Sequence, residues 1–444
     1  MIKTEYISHY KSILRLGFPI MLGQLGIIVV GFVDTMMVGH YSTQGLAAAS
    51  FVNNLFMFVT MLCMGFSYGL TPLVGALFSR GEYKSIGETV KNGVLVNLIF
   101  GTVVVVAMTI VYFNIHHFGQ PEELLPIIGP YFLTMLSSLI FVSLFNVMRQ
   151  FADGISKTSL SMWILLSGNL LNIIFNYLLI FGKFGFPELG LLGAGISTLG
   201  SRIFMALTFV VIVLTTKVFI KYREGLMVGK VEKSKMKMIF RASMPVSLQM
   251  GMETGLFSFS AVMVGWLGSI ALASYQVILT IGMLGYIVYY GFGSSVAIKV
   301  SNFVGVNDIK NVRLVAKCGF HIQLVLALCS SLLFLFFAEN IISWFTDDIA
   351  VISATVMLIF PLILYQFGDA IQINFANALR GTSYVMPMMW IALISYILVG
   401  IPLAYIMCFV FELGVSGAFI AFSSSLFLAG GLFTNQFYHR LKSM

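Results

Sequence analysis

Three acids interrupt long apolar runs in this chain of 444 residues. They are Asp34 in GFVDTMMVG, Glu253 in QMGMETGLF and Asp369 in YQFGDAIQI. An ionised carboxylate near a bilayer centre costs at least about 2.5 kcal/mol. Acids kept in such settings are therefore expected to exchange protons or hold cations. Asn169, Asn172 and Asn176 recur at i, i+3 and i+7, which puts three amides on one helical face. That face would complete a cation site with Asp34. In the second half, Gln249, Glu253, Phe257 and Ser260 share one helical face, while Tyr365, Asp369 and Gln372 share another. Glu253 and Asp369 are expected to bind sodium or share a proton there, helped by Gln249 and Tyr365. Purely structural readings compete with these: a buried acid can be satisfied by its neighbours, and Asn can act as glue between membrane helices. Arg202, the one basic residue well inside an apolar run, either pairs with an acid or lines a cavity, or else snorkels to the membrane edge.

Other chemistries find little support. The chain has no Walker A loop, no HExxH and no CxxC, and GLMVGK at 225–230 lacks both the P-loop spacing and its Ser/Thr. GFSYG at 65–69 matches GxSxG in form but sits in an apolar run with no strand before it, so close helix packing explains it better than a nucleophile elbow. His116-His117 is too short a cluster for a metal site. Cys63, Cys318, Cys329 and Cys408 fall in or at the edge of apolar segments, which argues for buried thiols and against a disulfide framework. Neither enzymatic activity nor a cofactor is expected, apart from a coupling proton or sodium.

The elements that must carry these residues follow from composition. With 59% hydrophobic and 9% charged residues and a mean hydropathy of +0.97, the chain cannot be a water-soluble globular enzyme. About 20 apolar residues span the hydrocarbon core as a helix. Spans are expected near 14–38, 46–78, 89–113, 124–150, 159–182, 190–216, 241–265, 272–302, 312–338, 349–376, 384–411 and 414–438. The fold class is thus an all-α integral membrane protein of twelve transmembrane helices. Alternate connections separate by charge. Arg80, Lys84, Lys91, Arg149, Lys157, the run Lys217 to Arg241, Lys310, Arg313, Lys317, Arg380, Arg440 and Lys442 fall on one side. By the positive-inside rule that side, with both termini, is cytoplasmic. The net charge of +8 reflects this asymmetry and gives no basic face for nucleic acid. The 26 Met and 41 Phe are expected mainly to pack the core and face lipid, with some forming soft walls for varied ligands.

Sliding the halves past each other uncovers a duplication. A shift of 226 pairs Arg15 with Arg241, Pro19 with Pro245, Val38-Gly39 with Val264-Gly265, Gly65-Phe66 with Gly291-Phe292 and Lys91 with Lys317. At a shift of 224, Phe151-Ala152 and Thr158-Ser159 meet Phe375-Ala376 and Thr382-Ser383. Six helices per half give both halves one orientation and a pseudo-twofold axis along the membrane normal. The expected domains are an N-lobe (1–216), a cytoplasmic linker (217–240) and a C-lobe (241–444). Paired halves of this kind are typical of secondary transporters, whose sites lie at or between the repeats near the midplane.

RLGFPIMLGQ, GFVDTMMVGH and LAAAS, with the echo RASMPVSLQM and VGWLGSIALASYQ, resemble the multidrug and toxic compound extrusion (MATE) family in its NorM-like branch. The N-x-x-x-N pair of the fifth span and ADGISKTS with its counterpart ANALRGTS carry the same resemblance. It implies export of organic cations and drugs in exchange for inward protons or sodium. It further implies that Asp34, Asn172 and Asn176 form the N-lobe cation site and that Glu253 and Asp369 are the C-lobe coupling acids. Phe257, Gln276, Tyr286 and Asp348 are then the positions near bound drug or cation, although Asp347 could take the place of Asp348. Some family members have Asp in the fifth span where this chain has Asn176, which disfavours a tight sodium site in the N-lobe.

The expected function is a cation-coupled multidrug antiporter, acting as a monomer in a bacterial cytoplasmic membrane by alternating access of two lobes. A flippase for lipid-linked saccharides would carry more basic residues in its cavity. An intramembrane enzyme would need a nucleophile–base pair, and none is visible.

Overall fold

The structure is a computed structural model that describes residues 2–444, with side chains from residue 5 onward. Nearly all of the described chain is helical, and it contains no strand. In the first half the helices are α1 (Ile2–Tyr41), α2 (Thr43–Ser67), α3 (Leu70–Arg80), α4 (Tyr83–Phe113), α5 (Leu125–Gly154), α6 (Thr158–Ile180), α7 (Leu191–Thr215) and the short α8 (Ile220–Met227). The second half contains α9 (Lys233–Gly265), α10 (Ser269–Gly305), α11 (Ile309–Ile342), α12 (Ile349–Val356), α13 (Ile359–Gly381), α14 (Met386–Val410) and α15 (Gly414–Lys442).

Among the described residues, ten helices are long and apolar enough to cross a membrane, counting α2 and α3 as one, and the bent pair α12–α13 makes an eleventh. The 33-residue α9, whose hydropathy is lowered by Ser243, Ser247, Gln249 and Glu253, completes twelve spans. Several helices overrun their expected limits. Their polar ends keep helical hydrogen bonding in the interfacial layer, where hydropathy no longer marks them.

Two spans are broken in ways that hydropathy does not signal. The tenth bends by 51° between α12 and α13. Pro361, just inside α13, has no N–H to offer the Met357 carbonyl and crowds the preceding turn. Within α14, wider turns occupy Leu393–Gly400 and Ile406–Val410 on either side of Pro402, the usual response to a missing backbone donor.

Contacts divide the chain into two units, residues 22–247 and residues 1–21 together with 248–444. The chain passes between them at Met21/Leu22 and returns at Ser247/Leu248. Each crossing lies two residues beyond a proline inside a helix, Pro19 in α1 and Pro245 in α9. This grouping by contact differs from a division at 217–240.

In the 22–247 unit one buried cluster gathers Val52, Phe56, Ile128, Phe132 and Leu139, and a second gathers Leu70, Val90, Phe151, Phe209 and Tyr222. The other unit packs Tyr275, Phe419 and Phe422 with ring centroids 5.3–6.3 Å apart, in reach of Phe257 and Tyr365. Buried aromatic pairs at such separations add about 0.5–1.5 kcal/mol each beyond the area they hide. They make firm walls around the polar groups described next.

Candidate functional site

Polar residues collect at one place in each unit. In the 22–247 unit, Asp34 lies in the C-terminal half of α1, and the face of α6 carrying Asn169, Asn172 and Asn176 turns toward it. Gly26 makes this approach feasible, since a side chain there would meet the Asn169 amide nitrogen at 2.8 Å. Asn176, fully buried, donates from Nδ2 to Asp34 Oδ1. Asn172 holds one end of its amide 2.9 Å from Asp34 Oδ1 and the other 3.3 Å from the Thr198 backbone N–H. Nitrogen toward the carboxylate and oxygen toward the N–H satisfies both ends. Asn169 lies two turns away, near Gly26, and has no hydrogen-bond partner on Nδ2.

Arg202 of α7 does not snorkel. Its Nη1 donates to Ser138 Oγ on α5, and its charge acts on Asp34. Tyr131 of α5 stands in the same field and donates to Asn53 Oδ1 of α2 at 2.9 Å. Sequence reasoning missed Ser138, Tyr131, Asn53 and Thr198. Of these, only Thr198 left a trace, being one turn before Arg202 on the same face of α7.

In the other unit, Glu253 of α9 accepts from Gln249 Nε2 at 2.8 Å and lies within reach of the Gln372 amide of α13. Gln372 also donates to the Tyr396 hydroxyl at 2.9 Å. Asp369, one turn before Gln372, is 1% exposed, and its Oδ2 has no hydrogen-bond partner. The two carboxyl groups act on each other electrostatically, and the hydroxyls of Tyr286, Tyr365 and Tyr396 lie within the field of both. Of the expected group, Gln249 is hydrogen-bonded to Glu253, and Asp369 and Tyr365 lie within electrostatic reach of Glu253. A small cavity opens beside it, lined by Gln249, Glu253, Tyr286, Tyr290, Gln372 and Arg380, among others. Arg380 is 6% exposed at this cavity, although its place in the sequence reads as a loop charge.

The expected ligand positions divide. Phe257 lies one turn beyond Glu253, with its ring 6.2 Å from Tyr365 and 5.0 Å from Phe422, and Tyr286 lines the cavity. Gln276 is exposed in the first third of α10 and is not among the residues lining the cavity. Asp348 is also exposed, and its Oδ1 accepts the Ala350 N–H at 2.8 Å, capping α12. Among the described residues no three of His, Cys, Asp and Glu gather as a metal site.

Opposed charge and amides on converging helices can hold a small cation or a proton and release it when the helices shift. The cavity wall combines these polar groups with Tyr286, Tyr290 and Met250.

Known proteins share this architecture. The MatE family profile matches residues 19–178 and again 245–406, the second match opening at Pro245, the repeat partner of Pro19. Multidrug resistance protein NorM of Photobacterium profundum is 30% identical over 409 residues, covering 91% of this chain and 88% of that protein. A probable multidrug resistance protein NorM of Photorhabdus laumondii subsp. laumondii is 29% identical over 437 residues, covering 98% and 95%. A solved outward-facing conformation of a multidrug resistance MATE family transporter of the MOP superfamily shares the fold. Its TM-score is 0.90 at 17% identity, over 98% of this chain and 96% of that one. Matched by the profile in both halves, the chain belongs to the MatE family.

Proposed function

We propose that this protein is a secondary active multidrug efflux antiporter that exports organic cations in exchange for inward protons or sodium. It is a transporter and not an enzyme. The observation that carries the coupling is Asp34, a carboxyl group inside a spanning helix held by the amides of Asn172 and Asn176. Glu253 and Asp369 supply a second place for coupling charge, and the adjoining cavity with Phe257 and Tyr286 is the drug-facing surface. Relatives called multidrug resistance proteins support the substrate class.

The lobes are repeat-related, 1–216 and 241–444 joined by 217–240, and they alternate access in a bacterial cytoplasmic membrane with both termini in the cytoplasm. One charge moved through 100 mV supplies about 2.3 kcal/mol. A monovalent drug leaving against the potential would consume that in a one-for-one exchange, so two clusters able to take up coupling charge give the cycle its surplus. Occupancy of Asp34 and bending of α1 at Pro19, where one backbone carbonyl lacks its donor, are the coupled events.

The test is efflux of a cationic dye from proteoliposomes under imposed proton and sodium gradients in turn. Uptake or release driven by neither gradient would remove the antiport reading. A flippase for anionic lipid-linked saccharides is the second reading, favoured by one observation, Arg380 at the cavity. Glu253 at the same cavity, with Asp369 in its electrostatic reach, outnumbers that single arginine when both acids are ionised, which suits cations better.

A further inference from the structure

The segment between the two repeats is built into the molecule on one side and left bare on the other. Arg223 donates to the carbonyls of Val213 and Thr216 at 3.2 and 2.7 Å, folding α8 back under the end of α7. Phe219 and Tyr222 are buried against Phe151, with ring centroids 5.6 and 5.4 Å away. Where α8 crosses α4 the two backbones touch through glycines. A side chain on Gly87 would collide with the Tyr222 carbonyl, and one on Gly225 with the Lys84 carbonyl. Further along, Lys91 Nζ donates to the carbonyls of Met227 and Gly229 at 3.0 and 2.9 Å. Asn92 donates to the Lys230 carbonyl at 3.1 Å and accepts from the Glu232 N–H at 2.9 Å. Glu88 and Glu232 both bind Lys235.

The opposite side has no such partners. Ile220, Met227 and Val228 are 62–78% exposed, and Val218 and Val231 about half. Exposed apolar side chains recurring along a docked segment mark a contact surface. Around them stand Lys217, Lys230 and Lys233, all exposed and none in an ion pair among the described residues. Over 217–237 six lysines and one arginine face two glutamates, and both glutamates are already engaged by Lys84 and Lys235. The segment joins the end of one spanning helix to the start of the next, so its place is at a membrane–water boundary.

We propose that residues 217–233 form an in-plane anchor for anionic phospholipid, with Ile220, Met227 and Val228 seated among the acyl-chain ends and the three lysines on the headgroups. An apolar tip flanked by cationic residues is the pattern that partitions into such an interface. Each basic residue near an anionic surface contributes about a fivefold preference, the equivalent of about 1 kcal/mol. Gly87 and Gly225 set the depth by letting α8 lie flush on α4. The anchor stands whether or not the transport assignment does.

The test places a fluorescent label on Val228→Cys in a Cys329→Ser background, since Cys329 is the exposed native thiol. The full-length protein is reconstituted in phosphatidylcholine alone or mixed with phosphatidylglycerol. The expected result is quenching by brominated acyl chains and shielding from iodide, stronger in the anionic vesicles. Adding Lys217→Gln, Lys230→Gln and Lys233→Gln should lower the anionic-lipid advantage by about fivefold per charge, with gel-filtration elution unchanged. Full iodide access in both lipids overturns the proposal. Shielding without lipid quenching does so too, because a protein partner or a second copy then covers the surface. Equal quenching in both lipids, indifferent to the triple variant, overturns its anionic specificity.

Discussion

The polar cluster around Asp34 and the one around Glu253 and Asp369 sit on helices of common descent yet are built differently. Under the 226 shift Asp34 stands opposite Ser260, and Glu253 opposite Ile27. The first cluster has one acid, two amides and a guanidinium within its field. The second has two acids, three tyrosines and a cavity bearing Arg380. Duplication therefore preserved the scaffold while each copy acquired its own charges. A fixed cation beside a lone acid leaves little attraction for a second cation, which suits a proton. A pair of acids beside a cavity can share a cation with a ligand.

The sharpest way to break this contrast is Asp34→Asn, which keeps the shape and removes the charge. Gradient-driven dye efflux should fall to the level of empty vesicles while circular dichroism and elution volume stay the same. Wild-type coupling in the folded variant would strip the first cluster of its role. Next in size, Glu253→Gln and Asp369→Asn should each lower efflux about tenfold, and the double variant should be little worse than either, because residues sharing one interaction are not additive. Fully multiplied losses would show two independent groups instead.

A smaller effect is expected from Arg202→Gln. Removing the resident cation should make efflux in the Asp34 protein sensitive to external sodium by a few-fold, read as the sodium dependence of the dye rate. No change would mean the guanidinium matters only to Ser138. Smallest of all, Asp348→Ala should leave the substrate profile within about twofold and cost about 1 kcal/mol of stability, the usual value of a lost cap. Its readouts are minimum inhibitory concentrations and a thermal melt. Selective loss of one cationic drug would restore Asp348 to the ligand surface.

Much of this was legible in the sequence, for identifiable reasons. Spans show because hydrocarbon demands apolar length, and Asn172 and Asn176 show because helical periodicity places them on one face. The partners of Arg202 lie on α5 and α1, far away in sequence, and periodicity within one helix carries no information across helices. Arg380 read as a loop charge because hydropathy weighs composition and not depth, whereas its guanidinium hydrogen-bonds Asn377 inside the helix end. The breaks before Pro361 and around Pro402 were also hidden, since Pro is common in membrane helices and need not break one.

The two crossings at Met21/Leu22 and Ser247/Leu248 bear on how the protein is made. The first 21 residues leave the ribosome long before the chain from Leu248 onward that they pack with. At about 5–20 residues per second, the wait for Leu248 alone is about 10–45 seconds. During that interval the N-terminal half of α1, with Ile13, Leu16 and Ile20 that end up buried, lacks the protein surface it finally packs on. Lipid or another part of the chain covers this half-helix until the second repeat arrives, so residues translated well before their partners are among the last to find their place.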